Sequence, residues 1–151
     1  MYYLAYGSNL NVGQMAHRCP DAKIIGTAEI KDYRLLFKGS KTGSYLTIEK
    51  AKGYVVPVAV WEVSDRDIAS LDRYEGYPNF YYKRTMVLPC SDGKRHRCFV
   101  YIMHEYRQLG IPTRWYVETC AQGYDAFGFD MQYLADAVNY SMDKCDRRYV
   151  G

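Results

Sequence analysis

Two short stretches of this 151-residue chain carry residue types suited to acid–base chemistry on a small bound molecule. One is Leu71-Asp72-Arg73-Tyr74-Glu75-Gly76-Tyr77-Pro78. Ahead of it, Ser64 reads as a helix N-cap, with Asp65 and Asp67 in the first turn and Ile68 and Leu71 as an apolar i, i+3 pair. Gly76 stands where a C-cap glycine belongs, so Glu75 falls at the helix C-terminus. The negative end of the helix dipole raises a carboxyl pKa there, and aromatic neighbours that exclude water raise it further. A carboxyl moved toward neutrality makes a useful general acid–base group. A solvated Glu paired with Arg73, Lys83 or Arg84 fits the same residues and does no chemistry.

The other stretch is Tyr6-Gly7-Ser8-Asn9-Leu10. It follows a short β-type run, Tyr2 to Tyr6, and precedes Asn11-Val12-Gly13-Gln14, which resembles a capping box opening a helix to about Arg18. Successive backbone N–H groups just before a helix form a concavity for a carboxylate or carbonyl oxygen. The loop contains no Lys or Arg, so neutral donors would do the binding. An ordinary strand-to-helix turn uses the same residues.

The elements around these stretches read as α+β. From Lys23 to Val63 the pattern is β: strands at Ile24–Ile30, Tyr33–Phe37, Tyr45–Ile48 and Tyr54–Val63, with a loop at Gly39–Gly43. Pro57 inside the last run marks an edge or a bulge. Tyr81–Cys90 and His96–His104 form a hairpin around Ser91-Asp92-Gly93-Lys94. Pro112-Thr113 opens a helix carrying Tyr116, Val117, Cys120 and Ala121 that ends near Gly123. A last helix starts at Asp130, and the charged tail Asp143–Gly151 is expected to fray. The fold class is α+β, a small mixed barrel-like sheet with flanking helices, and residues 1–151 fit one domain.

Composition narrows the function. The formal charge of +3 gives no reason to invoke nucleic acid or an anionic membrane, and no apolar run approaches the ~20 residues of a membrane span. Lys94-Arg95-His96-Arg97 is a basic run at a hairpin tip, read as a solvated turn; the RNA-binding reading predicts salt-dependent binding. Five cysteines without a CxxC pair, and no secretory leader, point to a cytoplasmic protein with reduced thiols. His17, Cys19, His96, Cys98 and His104 match no zinc spacing, so no metal or cofactor is expected. Tyrosine is the outlier at 17 copies; it builds sheets, and it lines pockets with apolar surface while offering a hydroxyl to a polar ligand.

Taken in order, Tyr6-Gly-Ser-Asn-Leu10 after an N-terminal strand and Leu71-Asp-Arg-Tyr-Glu-Gly-Tyr-Pro78 closely resemble the γ-glutamylcyclotransferase-like superfamily. Pro112-Thr113-Arg114-Trp115-Tyr116 is similar to that family's Pro-Ser-x-x-Tyr segment, with Thr113 replacing the usual serine. Trp61-Glu62-Val63 and Gly123 fit as well. The resemblance implies a small mixed barrel with flanking helices and no cofactor. It implies that the backbone donors of Gly7, Ser8, Asn9 and Leu10 hold a γ-glutamyl group, that Glu75 is the general base and then acid, and that Tyr6 and Tyr116 line the pocket. The reaction implied is intramolecular aminolysis of a γ-glutamyl amine or peptide, a lyase or acyltransferase-type cyclisation releasing 5-oxoproline. The alternative is a non-catalytic binder of γ-glutamyl ligands on the same scaffold.

Overall fold

The computed structural model describes residues 1–40 and 43–150; for Ser40 and residues 146–150 it describes the backbone alone. A six-stranded sheet curls into a half-barrel, with four helices around it. Strand order is β4-β5-β1-β3-β2-β6, where β1 is Tyr2–Ala5, β2 Lys23–Ser40, β3 Gly43–Glu62, β4 Tyr81–Pro89, β5 Arg95–Met103 and β6 Gln108–Leu109. The helices are α1 Val12–Arg18, α2 Asp65–Glu75, α3 Arg114–Ala126 and α4 Gln132–Val150.

β1 decides where the site lies. It is only four residues long, yet it sits mid-sheet, antiparallel to β3 (Tyr2 opposite Glu62, Ala5 opposite Ala59) and parallel to β5 (Tyr3 opposite Phe99). That parallel pair makes the sheet mixed. Tyr3, Leu4 and Ala5 are all buried, as a strand covered on both faces requires. The chain leaves β1 in the heart of the fold, and the next residues, Ser8–Leu10, form one 3-10 turn before α1.

β2 and β3 form one long hairpin rather than four short strands. The two expected gaps are local irregularities within it: the register slips between Ile24 and Gly26 and between Lys31 and Tyr33, with Asp32 at φ 63°. The Asp32 side chain accepts from the Gly53 N–H at 2.9 Å, so a polar contact bridges the break and the ladder resumes. The expected Gly39–Gly43 loop is shorter too, because Gly39 pairs with Ser44 and Ser40 with Gly43; residues 41 and 42 of that expectation lie outside the described residues. Pro57 sits where β3 is locally an edge, since pairing with β1 begins only at Ala59.

Two further expectations change. α3 runs through Gly123 to Ala126, because this glycine serves close packing and not a cap: a Cβ there would stand 2.5 Å from the Leu10 carbonyl carbon. The tail expected to fray is helical to Val150, with α4 packed along β2, and Gly151 lies outside the described residues. The β4–β5 hairpin stands as expected, closed by a Cys90 N–H to Lys94 carbonyl bond of 2.9 Å. Its tip is tied to β2 through the Ser91 N–H and the Thr27 carbonyl at 2.8 Å, which helps curl the sheet.

Candidate active site

α2 delivers Glu75. Ser64 accepts from the Asp67 N–H, and the Asp67 carboxylate accepts from the Ser64 N–H, a complete capping box of the kind worth about 1 kcal/mol. Gly76 ends the helix in the left-handed region at φ 63°, where a side chain would be strained. These two signals fix the helix length, and so fix Glu75 as its last residue.

Glu75 borders a cavity of about 340 Å³ together with Gly7, Ser8 and Asn9 of the loop, Arg73, Gly76, Leu46 and Phe80, and seven tyrosines: Tyr3, Tyr6, Tyr45, Tyr74, Tyr81, Tyr101 and Tyr116. A wider groove of about 1200 Å³ runs between β2 and β4, lined by Lys31, Tyr33, Arg84 and Met86 among others; neither Glu75 nor the loop is on it. The smaller cavity holds the residues with chemistry.

The loop side chains are engaged by the protein. Ser8 Oγ shares a 2.8 Å hydrogen bond with the Tyr74 hydroxyl, Asn9 Nδ2 donates to the Tyr3 hydroxyl at 2.8 Å, and Arg18 donates to Asn9 Oδ1. No acceptor for the N–H groups of Gly7, Ser8 or Asn9 is found among the described residues, as is usual for the open end of a helical turn. Leu10 differs. Its N–H donates to the Gly7 carbonyl at 3.0 Å and its side chain is fully buried beneath the loop. The 3-10 turn engages that fourth donor, so Leu10 supports the loop from below and does not face the cavity.

The tyrosine hydroxyls are engaged by the protein, contrary to their expected availability to a ligand. Tyr6 donates to the Tyr101 carbonyl at 2.7 Å, Tyr81 to the Leu46 carbonyl at 2.8 Å and Tyr101 to Asp72 at 2.6 Å. Tyr116 accepts from the Leu46 N–H at 3.1 Å. With Tyr3 and Tyr74 in the contacts above, six of the seven have protein partners. Burial pushes the hydroxyls of Tyr3, Tyr6, Tyr81, Tyr101 and Tyr116 well above the ordinary phenol range. These five rings are therefore held in place and stay uncharged at neutral pH.

Into this wall projects one carboxyl. As a residue Glu75 is half-exposed at the helix end, but its carboxyl group lies among the rings, with no hydrogen bond or ion pair among the described residues. Desolvation pushes it from 4.5 up to about 8, and the Arg18 charge pulls the other way. A carboxyl pushed toward neutrality thus shares a small tyrosine-lined cavity with a loop whose N–H groups have no acceptor among the described residues.

The cysteines offer no second centre. All five are buried free thiols, and burial pushes Cys19 up to about 11 and Cys98 and Cys120 up to about 12. Among the described residues no group of three or more His, Cys, Asp or Glu is placed to hold a metal ion, and no helix is long and apolar enough to cross a membrane.

The model of the family described as "Gamma-glutamyl cyclotransferase, AIG2-like" matches residues 3–118, which include the loop, Glu75 and Tyr116. The chain belongs to this family. Within it, the chain is 30% identical over 139 residues to the gamma-glutamylcyclotransferases of Bos taurus and Homo sapiens, covering 87% of this chain and 73% of each relative. A solved structure named "Gamma-glutamyl cyclotransferase" superposes with a TM-score of 0.80 at 26% identity, over 91% of this chain and 85% of the other. Family membership makes the chain a cyclotransferase-type enzyme, built on the mixed half-barrel of its relatives.

Of the residues singled out in the sequence, the structure brings Tyr6, Gly7, Ser8, Asn9, Glu75 and Tyr116 to one cavity and sets Leu10 behind it. Sequence reasoning missed Tyr3, Leu46, Tyr81 and Tyr101 as wall residues and Arg18 as the charge acting on Glu75. Tyr3 and Tyr101 lie in strands buried on both faces, so no alternation marks which side they face or which cavity they line.

Proposed function

We propose that this enzyme closes the γ-glutamyl group of an amide substrate into 5-oxoproline and releases the amine, with Glu75 as its single acid–base residue. One observation carries the reading: the Glu75 carboxyl, pushed toward neutrality by burial, borders the same tyrosine-lined cavity as the Gly7–Asn9 loop, whose N–H groups have no acceptor among the described residues. The family's name points to the same chemistry.

The substrate's α-amine attacks its own γ-carbonyl. The C–N bond of a five-membered lactam forms, and the γ-amide C–N bond breaks. Nucleophile and electrophile share one molecule, so the main task is to fold the substrate into an attacking geometry, which contributes roughly 7–11 kcal/mol in the best intramolecular cases. The rigid ring wall and the main-chain donors suit that task. Glu75 as carboxylate accepts a proton from the α-ammonium, which cannot attack while protonated. Glu75 as acid then delivers a proton to the departing nitrogen. One residue serves both steps because the two nitrogens are adjacent in the tetrahedral intermediate. A positioned group of this kind is worth about 10²–10⁴ in rate. The loop N–H groups hold the α-carboxylate or stabilise the carbonyl oxygen as it gains charge. A pocket of roughly 300 Å³ or more accommodates a small-molecule ligand, and 340 Å³ meets that for a small γ-glutamyl compound. The five unpaired thiols fit a reducing compartment such as the cytoplasm.

The test is a panel of γ-glutamyl dipeptides, γ-glutamyl amines and γ-glutamyl–lysine, scored for 5-oxoproline. Release from at least one member, lost in Glu75→Gln, supports the reading. Wild-type protein that binds these compounds yet releases no lactam is instead a binder.

A further inference from the structure

Arg18, the last residue of α1, contacts Asn9 and Tyr74, two residues that line the cavity. One guanidinium nitrogen donates to Asn9 Oδ1 in the loop, and another reaches Gln14 Oε1 at 3.5 Å. The guanidinium lies 3.4 Å from the centroid of the Tyr74 ring. Tyr74 is the residue before Glu75, and its hydroxyl is hydrogen-bonded to Ser8 Oγ at 2.8 Å. The Arg18 carbonyl accepts from Ser70 Oγ at 2.8 Å, fastening the end of α1 to α2. Loop, α1 and the last turn of α2 are thus joined through one side chain.

We propose that Arg18 is a positioning residue for the reaction: its guanidinium clamps the Asn9 side chain and the Tyr74 ring into one unit and brings a positive charge to the end of α2 where Glu75 stands. The inference rests on the reading of Glu75 as the acid–base group.

The surroundings of Glu75 single out this cation. β1 and the residue after it present Tyr3 and Tyr6, β3 presents Tyr45, β4 Tyr81, β5 Tyr101 and α3 Tyr116, and Arg73 and Tyr74 stand beside Glu75 on α2. Asp72 is engaged by Lys83 at 2.8 Å and by the Tyr101 hydroxyl at 2.6 Å. Of all these groups and Arg18, only the Arg18 charge opposes the effect of burial on Glu75. A flat guanidinium stacks on a ring face while its separate nitrogens donate outward in a fixed fork, whereas a lysine ammonium is a single point donor without that planar fork. The two parts of the role therefore separate by mutation.

The experiment uses Arg18→Met and Arg18→Lys, with folding checked by thermal melting. The Glu75 carboxyl carbon is titrated by NMR in the ligand-free chain, assigned by its absence in Glu75→Gln, and kcat/KM is followed against pH on a γ-glutamyl dipeptide. In Arg18→Met the Glu75 titration and the acid limb of kcat/KM move together to higher pH, and kcat/KM at pH 7 falls about tenfold, the factor for one pH unit. In Arg18→Lys the titration stays near wild type while kcat falls, because charge remains and the clamp is lost. An Arg18→Met protein whose Glu75 titrates as in wild type overturns the proposal. If Arg18→Met does not fold, Arg18→Lys decides, and wild-type kcat and KM in that variant overturn it. A wild-type enzyme that releases no lactam refutes the proposed reaction instead, and the NMR titration still tests the charge effect.

Discussion

Gly123 of α3 packs directly onto Leu10 beneath the loop, so closely that a β-carbon on the glycine would stand 2.5 Å from the Leu10 carbonyl carbon and 2.7 Å from its oxygen. Backbone cannot yield as a flexible side chain does. The helix and the loop are in contact because this position has no side chain. Gly123→Ala accordingly lowers stability by about 1–3 kcal/mol and displaces the loop, with loss of lactam release. The control is Gly13→Ala in α1, where a Cβ meets only Asn11 Oδ1 at 3.5 Å. Denaturant midpoints of the two variants check the contrast; equal midpoints would show that the close packing is unimportant.

Glu75→Gln keeps the fold and lowers turnover by about 10²–10⁴. It also changes how stability depends on pH. The folded carboxyl titrates at about 8 against 4.5 in its ordinary state, so between those values the folded chain holds a proton that the unfolded chain has lost. Wild-type stability therefore falls as pH rises from about 4.5 to about 8 and levels off above. The glutamine variant lacks this decline. Melting curves recorded across that range decide it: parallel profiles for the two proteins rule out a buried, shifted carboxyl.

Catalysis has the opposite slope. In the proposed reaction the base is ionised, so kcat/KM is expected to rise with pH with its acid limb near 8. Initial rates on a γ-glutamyl substrate from pH 5 to 9 give this limb. A limb near 4.5 would mean that the carboxyl is solvated in the free enzyme.

At Gly7 a β-carbon would stand 3.4 Å from both the Leu46 β-carbon and the Tyr116 hydroxyl, a contact with no slack. Gly7→Val adds two methyl groups beyond that point, at a cavity wall. KM rises at least tenfold, with a stability loss of about 1–3 kcal/mol. Steady-state kinetics at fixed pH test this, and an unchanged KM removes the loop from the binding surface.

Tyr116→Phe leaves the Leu46 N–H without its acceptor, which costs about 1–3 kcal/mol for a buried donor. Because Leu46 also accepts from Tyr81, the variant loosens two walls at once. Urea unfolding measures the loss, and an intact midpoint shows that water replaces the hydroxyl.

Much of the site was legible because its signals are local. Ser64, Asp67 and Gly76 delimit α2 by capping chemistry and so place Glu75, and Thr113 opens α3 in the same way. The loop was readable from Gly7-Ser8-Asn9 between a strand and an Asn cap. What escaped depends on contacts distant in sequence. The parallel pairing of β1 with β5 brings Tyr3 beside Phe99 and Tyr101, and no periodicity within either strand encodes that choice of neighbour. Gly123 misled for the same reason: a glycine late in a helix usually marks its end, and only the position of Leu10 shows otherwise. The gap around Asp32 was real as a change of backbone, but one bond to Gly53 keeps the strand going.

The engaged tyrosine hydroxyls have an effect beyond rigidity. Phenols ordinarily lose their proton only near pH 10, and burial moves five of these higher still, so these five rings add no charge beside Glu75 through the neutral range. The charge of the chamber then follows the one-proton titration of Glu75. Affinity for an ionic head group steps once with acidity, at the pH where Glu75 changes state, and is flat on either side.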